Sequence, residues 1–226
     1  MKKSTLVFGL SLIILASCGK KSTKKEEGDH AQTEQTSTPS ENPISVMQTD
    51  TSALTGLKNT YHSDKIGWTI KIPKGWKLLE TKQLEAYDQQ ADALLAPSDN
   101  PAQPKMEYLV AFQKDEYNMF SSMIEPFYEK YPGEYEETFK DIKENLHTAF
   151  TVQKVNVDTS SGEMMLAGKK FLYYNTGIYD KNFMYIMNQI MFSTLYKGYD
   201  FSINITYKGD ENLDSMVALL NSSVFE

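Results

Sequence analysis

Residues 199–207 alternate without a fault, Tyr199, Phe201, Ile203, Ile205 and Tyr207 against Asp200, Ser202, Asn204 and Thr206. A period of two held over that length describes a strand with one apolar face. Immediately before it, residues 183–196 are apolar on both faces, with Met184, Ile186, Ile190 and Phe192, which suits a central strand covered on both sides. Lys197-Gly198 is the turn between them. Two strands so closely joined run antiparallel, and a strand buried on both faces needs cover above and below. The pair therefore commits the chain to an antiparallel sheet with elements packed on it, an α/β sandwich.

The remaining elements fall around this pair. Trp68, Ile70 and Ile72 alternate with Thr69 and Lys71 up to Pro73-Lys74-Gly75, a strand that 57–61 can join across Ser63-Asp64-Lys65. Residues 81–95 read as a helix with Leu84, Tyr87, Ala91 and Leu94 or Leu95 on one face, and 106–112 return to strand. From 117 to 150 the period is 3.6. Pro132-Gly133 divides this region, and Tyr135, Phe139, Ile142, Leu146 and Phe150 then make one apolar stripe. Val152, Val155 and Val157 lead into a strand, and 169–177 form another. A closing helix is expected over 210–221, with Asp210 as N-cap and Leu213, Met216, Val217 and Leu220 facing inward.

The first residues cannot belong to this fold. Lys2 and Lys3, an apolar run from 6 to 15 and a small-residue site ending in Leu15-Ala16-Ser17-Cys18 make an export signal. The run is too short for a hydrocarbon core of ~30 Å, which takes ~20 apolar residues. Leu-Ala-Ser-Cys resembles the bacterial lipobox, whose cysteine takes a diacylglyceryl group and becomes the new N-terminus. Cys18 is the one cysteine in the chain. Lipidation explains an unpaired thiol in an exported protein, and acyl chains such as palmitate, at ~0.8 kcal/mol per buried CH₂, anchor without a protein span.

Residues 1–17 are thus expected to be a lipoprotein signal peptide and 18–56 the lipidated Cys18 with a disordered tether. The tether is rich in Lys, Glu, Gln, Ser, Thr and Pro, and as a flexible coil it reaches roughly 35 Å. Residues 57–226 form one domain, holding both Trp, all fourteen Tyr and ten of the eleven Phe. By resemblance to lipoproteins of two-membrane bacteria, Gly19 favours the outer membrane over the inner. The periplasmic face is expected rather than the cell surface, although Lys24-Lys25-Glu26-Glu27 is similar to tags that send some lipoproteins outward.

The formal charge is −7 and every basic residue except the three His is Lys. Without Arg there is no planar bidentate ligand for phosphate, which argues against nucleic-acid binding. His30 lies in the tether, His62 at an expected turn and His147 on the polar side of a helix; each reads as solvated. There is no Gly-x-Ser-x-Gly elbow, no His/Cys metal spacing and no phosphate-cradling Gly-rich loop, so no catalytic or metal residue is assigned. Asp210-x-Asn212-x-Asp214 opens like a calcium loop, but Ser215 stands at the required Gly and Asn221 at the bidentate Glu, so it reads as a helix start. Glu137, Asp141 and Glu144 read as a solvated face with Glu136-Lys140 and Lys140-Glu144 pairs. Met184, Met187 and Met191, with Tyr173, Tyr174, Tyr179 and Tyr185, can form either an adaptable apolar pocket or core.

Two stretches carry a family resemblance. Ile66-Gly67-Trp68-Thr69-Ile70-Lys71-Ile72-Pro73-Lys74-Gly75-Trp76 is similar to the opening strand, Pro, Gly, Trp of PsbP-like and DcrB-like proteins. Tyr196-Lys197-Gly198-Tyr199 entering an alternating strand, a short helix, and Ser222-Ser223-Val224-Phe225 resemble their close. The resemblance spans 57–226 through short patterns. It implies an α+β fold, an α/β/α sandwich with a central, mainly antiparallel sheet and helices on both faces. It also implies a non-enzymatic role, since the members are mostly photosystem II accessory subunits, assembly helpers and bacterial lipoproteins. No metal or chloride site of the photosynthetic members has a motif here, so no cofactor is expected. The expected partners are the bilayer, through Cys18, and another envelope protein; the alternative is a carrier or sensor of an apolar small molecule.

Overall fold

The structure, a computed structural model, describes residues 59–80, 82–84 and 106–226. Cys18, the signal and the tether lie outside the described residues, as does most of the helix expected over 81–95, of which 82–84 are helical. The described strands are β1 (Thr60–Ser63), β2 (Trp68–Lys71), β3 (Lys77–Leu78), β4 (Glu107–Asp115), β5 (Asn118–Pro126), β6 (Asn156–Leu166), β7 (Lys169–Tyr179), β8 (Tyr185–Tyr196), β9 (Tyr199–Tyr207) and β10 (Val224–Phe225). The helices are α1 (Glu134–Val152) between β5 and β6, and α2 (Asp210–Asn221) after β9.

Seven strands form one sheet in the order β3-β4-β5-β9-β8-β7-β6, every pair antiparallel. Its front face carries Phe112, Phe120, Phe171, Ile190, Phe192, Phe201, Ile203 and Ile205, buried under Met216 and Leu220 of α2 and under Trp68 and Ile70. Its back face carries Tyr174, Ile178, Met187 and Met191 beneath Phe139, Ile142, Leu146 and Phe150 of α1. With helices on both faces, the fold is the expected α+β sandwich.

The strand at 68–71 does not join this sheet. It centres a separate three-stranded sheet, β1-β2-β10, which ties the two ends of the domain together. Tyr61 pairs with Ile70 on one side of β2 and Val224 with Thr69 on the other. Trp68 donates its indole N–H to Ser223 Oγ at 3.1 Å and packs its ring 4.8 Å from Phe201.

Residues 117–131, expected to be helical, are instead largely β5, a central strand buried at every position but its last. Met119, Phe120, Met123 and Ile124 fit a helix face and a doubly buried strand equally well by spacing. The turn decides. Asp115 Oδ1 accepts the N–H of Tyr117 at 2.9 Å and the Asn118 side-chain amide at 2.8 Å, folding β4 back into β5. The helix then starts after Gly133, whose φ of 91° favours glycine, and Glu129 Oε1 accepts the N–H groups of Gly133 and Tyr135 at 3.2 Å each. Lys197 and Gly198 take φ of 51° and 79°, as a two-residue hairpin turn requires. Helix α2 has the expected bounds, but its N-cap is Gly209 rather than Asp210, and no side chain caps it.

Candidate functional site

Along β9 the side chains that point away from the front core are Asp200, Ser202, Asn204 and Thr206, and all four are buried. They meet Glu125, Met123, Ser121 and Met119 of β5 on one side. On the other they meet Leu195, Ser193, Met191 and Gln189 of β8. Asp200 is the centre of this polar back-face patch. Its Oδ1 accepts hydrogen bonds from Ser193 Oγ at 2.5 Å, Tyr135 OH at 3.0 Å and Ser202 Oγ at 3.2 Å. Tyr135 and Ser193 are themselves 2.5 Å apart, so the first turn of α1 is fastened to β8 and β9 through one carboxylate.

Glu125 sits directly across the strand pair from Asp200. Burial pushes the Glu125 carboxyl up to about 7, with the neighbouring Asp200 charge adding to the rise. Burial pushes Asp200 up to about 6, against the pull of Ser193, Tyr135 and Ser202, whose hydroxyls favour its ionised form. Two ionisable groups thus converge, but Asp200 is only 3 % exposed and its Oδ1 already takes three donors. The arrangement fastens a helix and orients it. Two further polar atoms of the patch, Ser121 Oγ and Asn204 Oδ1, are buried on opposed residues of β5 and β9 without a protein partner.

The Met/Tyr stretch is divided by the sheet. Met187, Met191 and Tyr174 belong to the core under α1, while Tyr173 packs against the front core. Met184 lies at the tip of the β7–β8 hairpin, beside Phe183; the strand expected from 183 onward begins instead at Tyr185. This tip is pinned by Asp180. Its Oδ1 accepts the N–H groups of Asn182 and Met184 at 2.8 Å each, and its own N–H donates to Met184 O at 2.9 Å. Phe183 is held at φ 60°, a left-handed conformation that costs a bulky residue about 1–2 kcal/mol, and is nevertheless 73 % exposed. Met184 is 67 % exposed. At the same end of the sheet Asn156 Nδ2 donates to Asp180 O at 2.8 Å, and the last residue of α1, Val152, is also exposed.

Other expectations resolve simply. His62 lies on β1 rather than in a turn, with Nδ1 2.7 Å from Thr69 Oγ1 and Nε2 3.2 Å from Asp64. His147 is exposed on α1, and Lys140 pairs with Glu144 at 3.9 Å. Asp210, Asn212 and Asp214 lie in the opening turns of α2, where Asn212 bonds back to Lys208 O and Lys114 donates to Asn212 Oδ1. Among the described residues there is no group of three or more His, Cys, Asp or Glu able to hold a metal ion, and no helix long and apolar enough to cross a membrane. Neither Asp200 nor Phe183 stood out in the sequence. Asp200 read as an outward polar position until β9 proved to be covered on both faces, and Phe183 read as one more strand hydrophobe.

No family model matches the chain, and no curated protein matches it. The chain is similar to the solution structure of cyanobacterial PsbP (CyanoP) from Synechocystis sp. PCC 6803, with 12 % sequence identity, 76 % of this chain and 95 % of that chain covered, and a TM-score of 0.49.

Proposed function

We propose that this is a non-enzymatic lipoprotein of the bacterial envelope, anchored through acyl chains on Cys18, whose sandwich domain binds another envelope protein as an accessory in assembly or maintenance. The observation that carries the binding role is the pinned β7–β8 tip. An aromatic and a methionine are held out to solvent by the Asp180 carboxylate, which accepts backbone N–H groups of the tip, with Phe183 in a conformation that costs stability, and exposed apolar groups presented on a rigid support mark interaction surfaces. The anchor places that tip within tether reach of the outer membrane, on its periplasmic face. The apolar-carrier alternative has less support, because the residues named for its pocket are dispersed: Met187, Met191 and Tyr174 into the core under α1, Tyr173 against the front core, and Met184 and Tyr185 out to solvent.

A photocrosslinking phenylalanine analogue at position 183 should give a defined heavier adduct in living cells, and the same analogue at Lys140, on the outer side of α1, should not. Matching patterns at the two positions, or no adduct at 183, would overturn the binding role. Palmitate labelling that marks the wild type and spares Cys18→Ala tests the anchor separately.

A further inference from the structure

The two edges of the large sheet are finished differently. At one edge β3 is only two residues long and begins with Lys77, and the β4 beneath it carries two register shifts. Short edges, lysines and bulges are the usual devices against edge-to-edge pairing. The opposite edge, β6, has none of them. It runs for eleven residues in unbroken register with β7, contains no Pro or Lys, and is exposed at every position from Asp158 to Glu163. Among the described residues no strand pairs with its outer side.

We propose that this edge is a self-association surface, on which β6 of a second copy pairs antiparallel with Ser161 on the two-fold axis. Three observations select a second copy in that register. Ser161 is the middle residue of β6, so the axis there pairs the strand over its full length. Asp158 then faces Met164 and Glu163 faces Thr159 of the other copy, so no like charges oppose one another, while Met165, exposed on an edge strand, faces Val157. Lys143 of α1 already reaches over this strand, its Nζ 3.1 Å from Ser161 Oγ, and Glu163 of the second copy is the diagonal neighbour of Ser161 on that same face. Glu163, whose Oε1 accepts from Lys170 Nζ at 3.2 Å within its own copy, would then share its carboxylate with Lys143 of the other, and two such symmetric contacts would close the interface. On the other face the Tyr173 ring lies over Gly162, where an added Cβ would come within 3.1 Å of it, and Ser160 of the second copy falls opposite Gly162. The product is one continuous sheet running through both domains.

Disulfide trapping in the full chain reads the register directly. In a Cys18→Ala background, which removes the native thiol and the anchor together, Ser161→Cys places two thiols on the axis with Cα atoms ~4.5–5.5 Å apart, inside the range a disulfide spans. Mild oxidation should convert most of this chain to a covalent dimer. Thr159→Cys or Glu163→Cys alone should not respond, because each residue lies four positions, about 13 Å, from its own copy. Mixing those two variants should restore the crosslink. A Ser161→Cys chain that stays monomeric, or a Thr159→Cys chain that crosslinks equally, would overturn the proposal. Independently, Ser161→Lys sets like charges on the axis at an exposed position, so it should halve the measured particle mass of the Cys18→Ala chain and leave its far-ultraviolet circular dichroism unchanged, while lowering its melting temperature as the dimer's stabilisation is lost. A Cys18→Ala chain already monomeric before that substitution would also overturn the proposal. Since these chains carry no lipid, the outcome is read apart from the anchor and from the partner tip.

Discussion

The front and back faces of the large sheet are both covered by a helix and both bury apolar side chains, yet along β5, β8 and β9 they differ in chemistry. On the front, Phe120, Phe192, Phe201, Ile203 and Ile205 bury apolar area against Trp68, Met216 and Leu220. On the back of the same strands Ser121, Ser193, Asp200, Ser202 and Asn204 are enclosed to a similar degree, interleaved with Met119, Met123 and Met191. Apolar burial is non-directional and rewards area. Buried polar groups reward only correct geometry and penalise each donor or acceptor left over. The front therefore supplies most of the stability, and the back specifies how α1 sits. Asp200 makes the point, since one oxygen gathers three hydroxyls from α1, β8 and β9.

The largest test of that division is Phe201→Ala. Its ring is fully buried between Trp68 and Phe171, and the truncation should cost about 3–5 kcal/mol in urea unfolding. A cost near 1 kcal/mol would mean that the front is not the main apolar core. Next comes Tyr135→Phe, which removes one donor from Asp200 and keeps the ring that meets Phe127. A loss of about 1.5–3 kcal/mol is expected where Asp200 is ionised, and less in acid.

The pH profile sharpens the comparison further. Glu125 and Asp200 have folded values raised to about 7 and about 6 from ordinary values of 4.5 and 3.8. The folded protein thus binds protons more tightly than the unfolded chain. Their contribution is fully present below about pH 4 and is lost as pH rises through about 6 to 7. The urea midpoint should fall across that window in the wild type, and the fall should flatten in a Glu125→Gln, Asp200→Asn double variant. The smallest effects come from two neighbouring serines. Ser122, on the front, donates to Val110 O at 3.1 Å, and Ser122→Ala should cost about 1 kcal/mol. Ser121, on the back, has no protein partner for its buried hydroxyl, and Ser121→Ala should be neutral or stabilising by up to about 1 kcal/mol. Equal effects of equal sign would erase the distinction at these positions.

Much of this was written in local pattern. The five-residue stripe of α1 and the alternation of β9 emerged with the residues expected, because each element has one apolar side and a definite period. Strand β5 did not, because burial on both faces erases periodicity and leaves a turn, set by Asp115, as the deciding signal. The same erasure hid Asp200. Its neighbours in sequence say only that it points away from Phe201, and whether that direction is water or interior depends on α1, which arrives from more than forty residues earlier in the chain. The small sheet was half legible. Trp68 and Ile70 declared a strand, but its pairing with Val224 and Phe225 joins segments that no local window contains.

Both tryptophans belong to the front. Trp68 lies among Tyr61, Phe201 and Phe225, and Trp76 meets Phe112 edge-on at 5.5 Å. Ultraviolet emission excited at the indoles is consequently a one-sided witness. It will register loosening of the closing strands, and it will stay silent while α1 swings away from the opposite surface. A denaturation curve recorded by that light alone would look simpler than the molecule is, and a second chromophore beside Met191 would supply the missing half of the signal.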